Sequence, residues 1–547
     1  MKAHDAIRGA LADAAARLGA PAPTVELERP RDPTHGDLST NLALVLAKSL
    51  RKKPREVAER LVATLALPAG LVRKVEIAGP GFINIFLVEE QLHAVLPLVL
   101  AAGARFGRGD GGRGALVNVE FVSANPTGPL HVGHGRQAAL GDVIASLLEW
   151  TGWRVTREFY YNDAGTQILN LARSVQARML ERRGRPAEIP PGGYHGEYIR
   201  DIAERYVAAH PEDAEGADLD AVRRFAVEQL RQEQDRDLQA LGVKFDVYFL
   251  ESSLYATHKV EETVRRLTAA GHTYERDGAL WLKTTDFGDD KDRVMRKSAD
   301  KGGEYTYFLP DVAYHVTKWE RNFTRAINVQ GADHHSTVTR VRIALQALGM
   351  HIPPSYPEYV LHQMVTVMKG GEEVKLSKRA GSYLTLRELI DEVGADAVRY
   401  FFLMRRADTH FVFDVDLAKS QTEENPVFYV QMAHARMSGI FRVAAREPTA
   451  VRAEGADLGL LGQPEEIDLL KELGAFPGVV QRAAETLEPH RLTGYLERFA
   501  RLAHAWYHKY RVLGEPEEAA RLVLAAGVRQ VLANGLHLLG IAAPDRM

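Results

Sequence analysis

Hydrophobic and polar positions divide the chain into three parts of different character. Up to residue 110, short helical stretches are followed by a strand-like segment at 79–87. Between 111 and 413, β-rich apolar runs alternate with helical patterns, which is typical of a sheet covered by helices. From 414 to 547 the apolar positions recur at helical spacing, as in a bundle. The pattern predicts an α/β multidomain protein with a small N-terminal α/β domain and an all-α C-terminal part.

The middle part is itself interrupted. Residues from about 165 to 290 carry few strand signals, and the charged run 218–241 predicts a helix with a solvated face. We interpret this region as a helical insertion that separates two halves of a sheet. The sheet resumes at 305–311 (YTYFLPD), predicted as a strand that ends in an acid, and again at 326–329, which leads into GADHHS.

The stretch 120–136, EFVSANPTGPLHVGHGR, reads as the end of a buried strand, a Pro/Gly loop and the start of a helix. His131 and His134 are three apart and share a side of that helix. Gly133 and Gly135 leave room for a ring or phosphate, and a helix N-terminus attracts phosphates. The HxxH spacing alone also fits a metal half-site or two ordinary surface histidines.

A second motif, VKLSKRAG, spans 374–381 after a glycine turn. Its cations Lys375, Lys378 and Arg379 on a Gly-flanked loop suit a clamp for polyphosphate, with the lysines as point charges. Taken alone, the same residues also fit a solvated basic loop.

Composition narrows the class of protein. A chain of 547 residues is too long for one core, and 46% hydrophobic with 26% charged residues is typical of a globular protein. The absence of cysteine excludes disulfides and thiolate zinc sites. We see no apolar run that would span a bilayer and no signal peptide, so we expect a cytoplasmic enzyme. Because the net charge is -3, any RNA must be bound by local basic patches.

Together the two motifs resemble the paired HIGH and KMSKR signatures of class I aminoacyl-tRNA synthetases, with Val for Ile and Leu for Met. The contexts EFVSANPTGPLHVGHGR, YYNDAGTQI, NPVFYVQMAHAR and the terminal LGIAAPDRM are similar to the arginyl-tRNA synthetases over essentially the whole chain. The resemblance implies a Rossmann-type nucleotide-binding catalytic domain at 111–413, a tRNA-elbow-binding domain at 1–110 and a helical anticodon-binding domain at 414–547. It implies activation of L-arginine by ATP to arginyl-adenylate, with release of pyrophosphate. The arginyl group is then transferred to the terminal ribose of tRNA(Arg), with release of AMP. We expect a monomer.

The resemblance also implies an arginine pocket. Its residues would be the carboxylates Glu120 and Asp311, both at predicted strand ends, with Tyr307 beside them. Asn125 would hold the α-amino or carboxylate end of the bound arginine. Paired carboxylates recognise a guanidinium by geometry as well as charge, so no editing domain is expected.

Catalysis would be positioning and charge stabilisation by five residues: His131, His134, Lys375, Lys378 and Arg379. The ATP site would include Gly133, Gly135, Gly331 and Asp333. Mg²⁺ would arrive with ATP. We expect no zinc and no other protein-bound metal, although His334 and His335 are adjacent.

For tRNA, the resemblance implies Phe82 and Asn84 in the N-terminal domain and Tyr429 and Arg436 in the helical one, where rings and guanidinium groups contact unpaired bases. Core packing remains an alternative for Phe82 and Tyr429, and a strand-end position for Asn84. The resemblance further implies that the first step needs bound tRNA.

Three other functions compete with this hypothesis. A cysteinyl or methionyl synthetase would need zinc ligands that this chain lacks. A small-molecule adenylyltransferase would need neither terminal domain. A tRNA-binding relative without activity would not need intact HVGH and KLSKR motifs.

Overall fold

The structure is a computed structural model that describes residues 2–20, 24–28, 30, 32–163, 165–306, 308–374 and 384–547. The predicted site residues Tyr307, Lys375, Lys378 and Arg379 lie outside these ranges. Across the described ranges, every helix is too short or too polar to cross a membrane.

The N-terminal unit contains α1 (Lys2–Arg17), β1 (Leu38–Thr40), α2 (Leu42–Leu50), α3 (Pro54–Thr64), β2 (Val72–Ala78), β3 (Phe82–Leu87), α4 (Glu89–His93) and α5 (Val95–Ala102). Its antiparallel sheet has the order β1-β3-β2. Pro54 opens α3, where its missing N–H would have had no partner. Ile83 and Ile85 of the central strand are fully buried, so alternate side chains of β3 form the core of this unit.

The middle of the chain begins with β4 (Leu116–Glu120), α6 (Val132–Trp150), β5 (Arg154–Tyr161), α7 (Thr166–Arg182), α8 (Glu197–Ala209), α9 (Leu219–Ala240), β6 (Val247–Leu250), α10 (Glu251–Ala256), α11 (Lys259–Ala269), β7 (Thr273–Arg276), β8 (Ala279–Leu282) and β9 (Arg293–Arg296). It continues with α12 (Phe308–Glu320), β10 (Arg325–Gly331), α13 (His335–Ala347), β11 (Glu358–His362), β12 (Val365–Lys369), β13 (Glu372–Glu373), α14 (Leu386–Val393), α15 (Ala395–Leu403), β14 (Phe411–Asp414) and α16 (Val415–Lys419).

The main sheet is parallel and five-stranded, in the order β11-β10-β4-β5-β6. Its central strand β4 is buried from Val117 onward, as expected for a strand covered on both faces. The carboxyl ends of parallel strands share one edge of a sheet. Glu120, the last residue of β4, and Gly331, the last residue of β10, therefore lie at the same edge. Ligands bind at this edge in open α/β sheets.

Helix α6 follows β4 and is buried on nearly all sides. Arg136 in its first turns is itself buried and donates to the carbonyl groups of Gln363 (2.8 Å), Arg406 (2.9 Å) and Thr409 (3.2 Å). The start of α6 is thereby fixed to the segments before β12 and after α15.

The prediction of a strand at 305–311 is wrong. In the described part of that segment, Tyr305 forms a single bridge with Arg296, and α12 begins at Phe308. Pro310 lies in the first turn of α12, where proline is tolerated. Asp311 therefore lies in a helix's first turn and not at a strand end.

The prediction that 165–290 is mainly helical missed three strands. The four-residue strand β6 is an edge of the main sheet, and β7 and β8 pair with β9 in a small antiparallel sheet. The charged helix predicted at 218–241 is α9, and its Val222, Ala226 and Leu230 form one buried face at i, i+4 spacing. That helix is therefore solvated on one side and packed on the other.

The C-terminal part is a bundle of α17 (Pro426–Val443), α18 (Pro464–Thr486), α19 (His490–Lys509) and α20 (Glu518–Leu538). It contacts the N-terminal unit directly. Lys471 of α18 lies 2.7 Å from Asp37, and the ring of His93 lies 2.9 Å from the carbonyl oxygen of Leu461.

Candidate active site

The two histidines of the HVGH motif are stacked, with ring centroids 3.7 Å apart. His131 caps α6, and its Nδ1 accepts from the Gly133 N–H at 3.1 Å. His134 Nδ1 accepts from the His131 N–H at 3.3 Å. Because each Nδ1 is an acceptor, each neutral ring carries its proton on Nε2. The shared side predicted from the spacing is confirmed, and both rings are donors through Nε2.

The chain that follows the KLSKR motif returns to this helix start. The Leu386 N–H donates to the Leu130 carbonyl at 2.8 Å, and Thr385 pairs with His131. Thr385 also forms a capping box with Glu388, which starts α14 at this place. The flank of the second motif therefore lies beside the first motif.

Glu120 ends β4 and is followed by a strained loop. Val122 and Ser123 have φ values of 68° and 41°, which L residues rarely adopt and which are especially unfavourable for a β-branched valine. The turn directs the Ser123 hydroxyl back to Glu120 Oε1, where it donates at 2.9 Å. Strain of this kind is typical of functional sites.

Glu120 also forms a buried ion pair. Lys318 of α12 donates from Nζ to Glu120 Oε2 at 2.6 Å, with side-chain exposures of 0% and 6%. The ammonium group lies 4.4 Å from the centre of the Tyr314 ring. Both oxygens of the predicted guanidinium ligand are thus already hydrogen-bonded within the protein, Oε1 to Ser123 and Oε2 to Lys318, although each oxygen has a second lone pair.

Asp311 is more accessible, with a side-chain exposure of 29%. The buried ring of His315, one helical turn later, lies 3.1 Å from Asp311 Oδ1 through its Nδ1. His315 Nε2 lies 2.7 Å from the Asn328 side-chain amide on β10. Of the two predicted carboxylates, Asp311 is the one that a ligand reaches more easily.

A third carboxylate, Glu251, belongs to the same region. The Tyr160 hydroxyl donates to Glu251 Oε2 at 2.7 Å. Burial, followed by the charge of Glu251 and its hydrogen bond, raises the pKa of Tyr160 well above its ordinary value, and the charges of Asp311 and Glu120 add to this. Burial also raises the pKa of Glu251. Three carboxylates, Glu251, Asp311 and Glu120, therefore lie near one hydroxyl at this edge of the sheet.

Asn125 lies in the loop between β4 and α6 and donates from Nδ2 to Gln167 Oε1 at 2.7 Å. The insertion holds this loop in place. Gln234 of α9 donates to the carbonyl groups of Asn125 and Gly128, and the Tyr198 hydroxyl of α8 donates to the Thr127 carbonyl. Helices of the insertion therefore position the loop that carries Asn125.

The two motif glycines differ in role. At Gly135 a Cβ atom would lie 2.6 Å from Leu386 Cδ1 and 3.0 Å from Phe402 Cε2, so the space beside it is filled by protein. On this side Gly135 therefore faces helices α14 and α15, and its place in the ATP site stays a prediction. At Gly133 the neighbour is the His131 ring, 3.0 Å away.

The predicted adenosine side of the site lies at the end of β10. Gly331 pairs in register with His362, and Asp333 follows in a short 3₁₀ turn with an exposed carboxylate. Burial, followed by the positive charge of Arg136 and opposed by a backbone contact, lowers the pKa of His362 to about 4, so this ring is neutral near pH 7.

In the N-terminal unit, Phe82 and Asn84 lie on the same side of β3. Phe82 is 42% exposed, which argues against core packing. Asn84 is 3% exposed and lies within the strand, not at its end, where its Oδ1 accepts from the Ser39 hydroxyl at 2.8 Å. A ring is therefore presented to solvent above a buried amide.

In the helical bundle, Tyr429 and Arg436 share a face, as their spacing predicts. The rings of Tyr429 and His504 have centroids 4.4 Å apart, and Arg436 Nη1 lies 2.7 Å from His504 Nδ1 and 3.1 Å from His508 Nε2. Both side chains are half-buried against α19, so packing accounts for part of each contact.

Four residues of the site were not predicted from the sequence: Lys318, His315, Asn328 and Glu251. The first two would have been visible if 308–320 had been interpreted as a helix, because His315 and Lys318 follow Asp311 at i+4 and i+7, on one face. Asn328 and Glu251 carry no local signal, since strand pairing and tertiary packing bring them to the site.

Comparison with known families covers nearly the whole chain. Residues 1–87 match the arginyl-tRNA synthetase N-terminal domain, 97–438 match the catalytic domain of class I tRNA synthetases of the arginine type, and 430–547 match the DALR anticodon-binding domain.

Curated relatives are similar over nearly their full length. The arginine–tRNA ligase of Geobacter metallireducens is 57% identical over 538 residues, which is 96% of this chain and 95% of that protein. The arginine–tRNA ligase of Bordetella avium is 55% identical over 542 residues, 96% of each chain. Among solved structures, the arginyl-tRNA synthetase of Thermus thermophilus shares the fold, with a TM-score of 0.78 and 24% identity over 99% of this chain and 100% of that one.

Proposed function

The chain belongs to the class I arginyl-tRNA synthetases, and from this premise we infer how its site performs the arginine–tRNA ligase reaction. Its substrates are ATP, L-arginine and tRNA(Arg). In the first step the arginine carboxylate attacks the α-phosphorus of ATP. A carboxyl oxygen–phosphorus bond forms, the bond from the α-phosphorus to the bridging oxygen breaks, and pyrophosphate leaves. In the second step a ribose hydroxyl of tRNA attacks the adenylate carbonyl carbon and AMP leaves.

The observation that carries the arginine pocket is that one buried network of side chains joins two carboxylates. Glu120 ends the strand that leads into the HVGH loop, and Asp311 is joined to the same buried network through His315. A planar guanidinium can donate to both carboxylates, whereas an ammonium group cannot match their geometry. Asn125 holds the α-amino or carboxylate end, and Tyr307 completes the pocket in this proposal.

The phosphate side of the proposal rests on donors at the start of α6. His131 and His134 donate from Nε2 to the phosphate oxygens as negative charge develops, and the N-terminal end of the helix adds its dipole. Lys375, Lys378 and Arg379 supply further positive charge from the second motif, whose flank meets His131 at Thr385. Mg²⁺ bound to ATP would neutralise phosphate charge.

The adenosine lies at the end of β10 in this proposal. Gly331 offers its backbone, Asp333 accepts from ribose hydroxyls, and Gly133 lets the nucleotide approach the helix start. No protein-bound zinc takes part.

For tRNA, we propose that Phe82 and Asn84 contact the elbow and that Tyr429 and Arg436 contact the anticodon. The exposed ring of Phe82 supports stacking on an unpaired base. We further propose that tRNA is required for the first step, that the domains divide near residues 110 and 413, and that the protein acts as a cytoplasmic monomer.

Aminoacylation of tRNA(Arg) with arginine, lysine and citrulline tests the pocket. Citrulline has the shape of arginine without its charge, and lysine has the charge without the planar group. We expect ester formation with arginine and a loss of at least about 10³-fold in kcat/KM with the other two. Comparable rates with lysine would exclude a carboxylate pair as the guanidinium site.

A further inference from the structure

A chain of close polar contacts joins the two predicted carboxylates through the protein interior. We call it the buried relay: Glu120, Lys318, Asn328, His315 and Asp311. Lys318 Nζ donates to Glu120 Oε2 at 2.6 Å and to Asn328 Oδ1 at 3.1 Å. Because an ammonium group can only donate, the oxygen of the Asn328 amide must face Lys318 and its NH₂ must face the other way.

The NH₂ group of Asn328 determines which ring nitrogen of neutral His315 carries the proton. Asn328 Nδ2 lies 2.7 Å from His315 Nε2, and an amide nitrogen can only donate. His315 Nε2 is therefore an acceptor, and the neutral ring carries its proton on Nδ1. Nδ1 donates that proton to the Asp311 backbone oxygen at 2.8 Å, and the Asp311 carboxylate Oδ1 lies 3.1 Å from the same nitrogen.

Pairing of the strands places the relay at the centre of the sheet. Asn328 on β10 lies in register with Glu120 on β4, and both side chains are buried, as are Lys318 and His315. Asp311 alone among the five is partly exposed. The charged and titratable groups around the ring and its partners are Asp311, Tyr314 and Lys318 on its own helix, Glu120 on β4 and Tyr359 on β11.

We propose that Asn328 and His315 are positioning residues for arginine: they fix the ring proton on Nδ1, so that Asp311 is held as an oriented acceptor in register with Glu120. This inference rests on the proposed arginine pocket. Neither residue touches the substrate. Their effect passes through Asp311, because a bidentate ligand must be held within about 0.5 Å of its productive position.

Asn328→Asp tests the relay with almost no change of shape. A carboxylate at 328 presents an acceptor to His315 Nε2, so a proton is needed there as well as on Nδ1. At low pH the ring holds both protons and Asp311 keeps its donor. As pH rises and the His315 ring loses one proton, the remaining proton can be donated to only one of the two carboxylates at a time. Part of the time it lies on Nε2, and Asp311 then faces the lone pair of Nδ1.

We therefore expect the KM for arginine of N328D to rise roughly tenfold between about pH 6 and about pH 9, relative to wild type, while the KM for ATP follows wild type. The matched control is Asn118→Asp. Asn118 is equally buried, lies on the neighbouring β4 and donates to Glu158 Oε2 at 3.0 Å, outside the relay. N118D should show no pH-dependent change in the KM for arginine.

Two results would overturn the proposal: an arginine KM in N328D that follows wild type at every pH, or the same pH-dependent rise in N118D. Asp311→Asn, measured alongside, distinguishes failure of the positioning proposal from failure of the arginine pocket. If Asp311 belongs to the pocket, D311N raises the KM for arginine whatever the result with N328D.

A measurement on the wild-type protein keeps the proposal testable if N328D does not fold. In ¹⁵N-histidine-labelled enzyme, long-range ¹H–¹⁵N correlation distinguishes the two neutral imidazole tautomers, and His315→Gln identifies the signal. We expect the Nδ1–H tautomer near neutral pH. The Nε2–H tautomer, or an imidazolium, would contradict the relay.

Discussion

Arg399 Nη2 lies 2.6 Å from Asp142 Oδ2, and this ion pair is almost completely buried. The same guanidinium donates to the carbonyl of Leu241 at 3.0 Å and to that of Leu539 at 2.8 Å. Asp142 belongs to α6, Leu241 follows the long insertion helix, and Leu539 follows the last helix of the bundle. One side chain therefore joins the helix of the active site to the insertion and to the C-terminal part.

Arg399→Lys should destabilise the protein although it keeps the charge. The shorter ammonium cannot reach all three partners, and unpaired buried groups cost about 2–4 kcal/mol together. Thermal unfolding should show a lower Tm. As a control, Arg406→Lys alters an exposed pair with Asp408 and should change the Tm little. Equal Tm values for both variants would show that the buried contacts contribute nothing.

His134→Ala should slow activation without weakening arginine binding. Loss of one oriented donor to a developing phosphate charge lowers kcat by roughly 10²–10³-fold. The measurement is ATP–pyrophosphate exchange at saturating arginine and tRNA(Arg). His258 is an exposed histidine, and His258→Ala should behave as wild type. A rise in the KM for arginine with kcat unchanged would assign His134 to the amino acid and not to the phosphates.

Asp311→Asn should raise the KM for arginine far more than the KM for ATP. The amide keeps the size of the side chain but loses its charge. Loss of one charged hydrogen bond should raise the KM for arginine by about ten- to a hundredfold. Steady-state exchange kinetics with each substrate varied in turn give both constants. Equal changes in the two KM values would remove Asp311 from the pocket.

Asp237→Asn should stabilise the protein at high pH. Asp237 lines a cavity of about 330 Å³ between α8, α9 and the start of α14, and burial together with the charge of Glu233 raises its pKa to about 6. A raised carboxyl pKa means that the folded state holds this proton more tightly than the unfolded state. Stability is therefore lost as pH rises from about 4 to about 6, and the ionised group costs roughly 1–2 kcal/mol above that range.

Tm measurements at pH 8 and pH 4 check this prediction. D237N should exceed wild type at pH 8 and equal it at pH 4, where the wild-type carboxyl is neutral. Asp277→Asn, at an exposed position, serves as control at both pH values. A lower Tm for D237N at pH 8 would show that the charge of Asp237 is needed for an interaction.

Phe82→Ala should weaken tRNA binding and leave folding intact, because the ring is largely exposed and stacking on a base contributes about 1–3 kcal/mol. The Kd for tRNA(Arg), measured by filter binding, should rise about 5- to 100-fold. Val45→Ala removes another exposed apolar side chain of the same unit and should leave the Kd unchanged. An unchanged Kd in F82A would exclude the ring from the tRNA interface.

Much of the fold could be predicted from local sequence signals. The helix after HVGH and the bundle helices α17, α19 and α20 carry clear periodicity, and the structure confirms them. The segment 305–311 was predicted wrongly because its aromatic and β-branched residues favour a strand, whereas Pro310 is compatible with a helix's first turn. The short strand β6 follows a long charged helix and is too brief to show an alternating pattern.

The candidate site was predictable only in part. Residues within one motif, such as His131 and His134, can be placed from their spacing on a helix. Lys318 and Asn328 become meaningful once α12 lies over the sheet and β10 pairs with β4, because Asn328 and Glu120 are then neighbours. Such long-range pairing leaves no local pattern in the sequence.

ATP–pyrophosphate exchange by the purified protein, with each amino acid in turn and with or without tRNA(Arg), tests the arginine pocket and its dependence on tRNA most directly. We predict exchange with arginine, and only when tRNA(Arg) is present. Exchange with arginine alone would contradict the proposed coupling to tRNA but keep the pocket. Exchange driven by another amino acid, or none under any condition, would contradict the assignment of Glu120 and Asp311 to arginine.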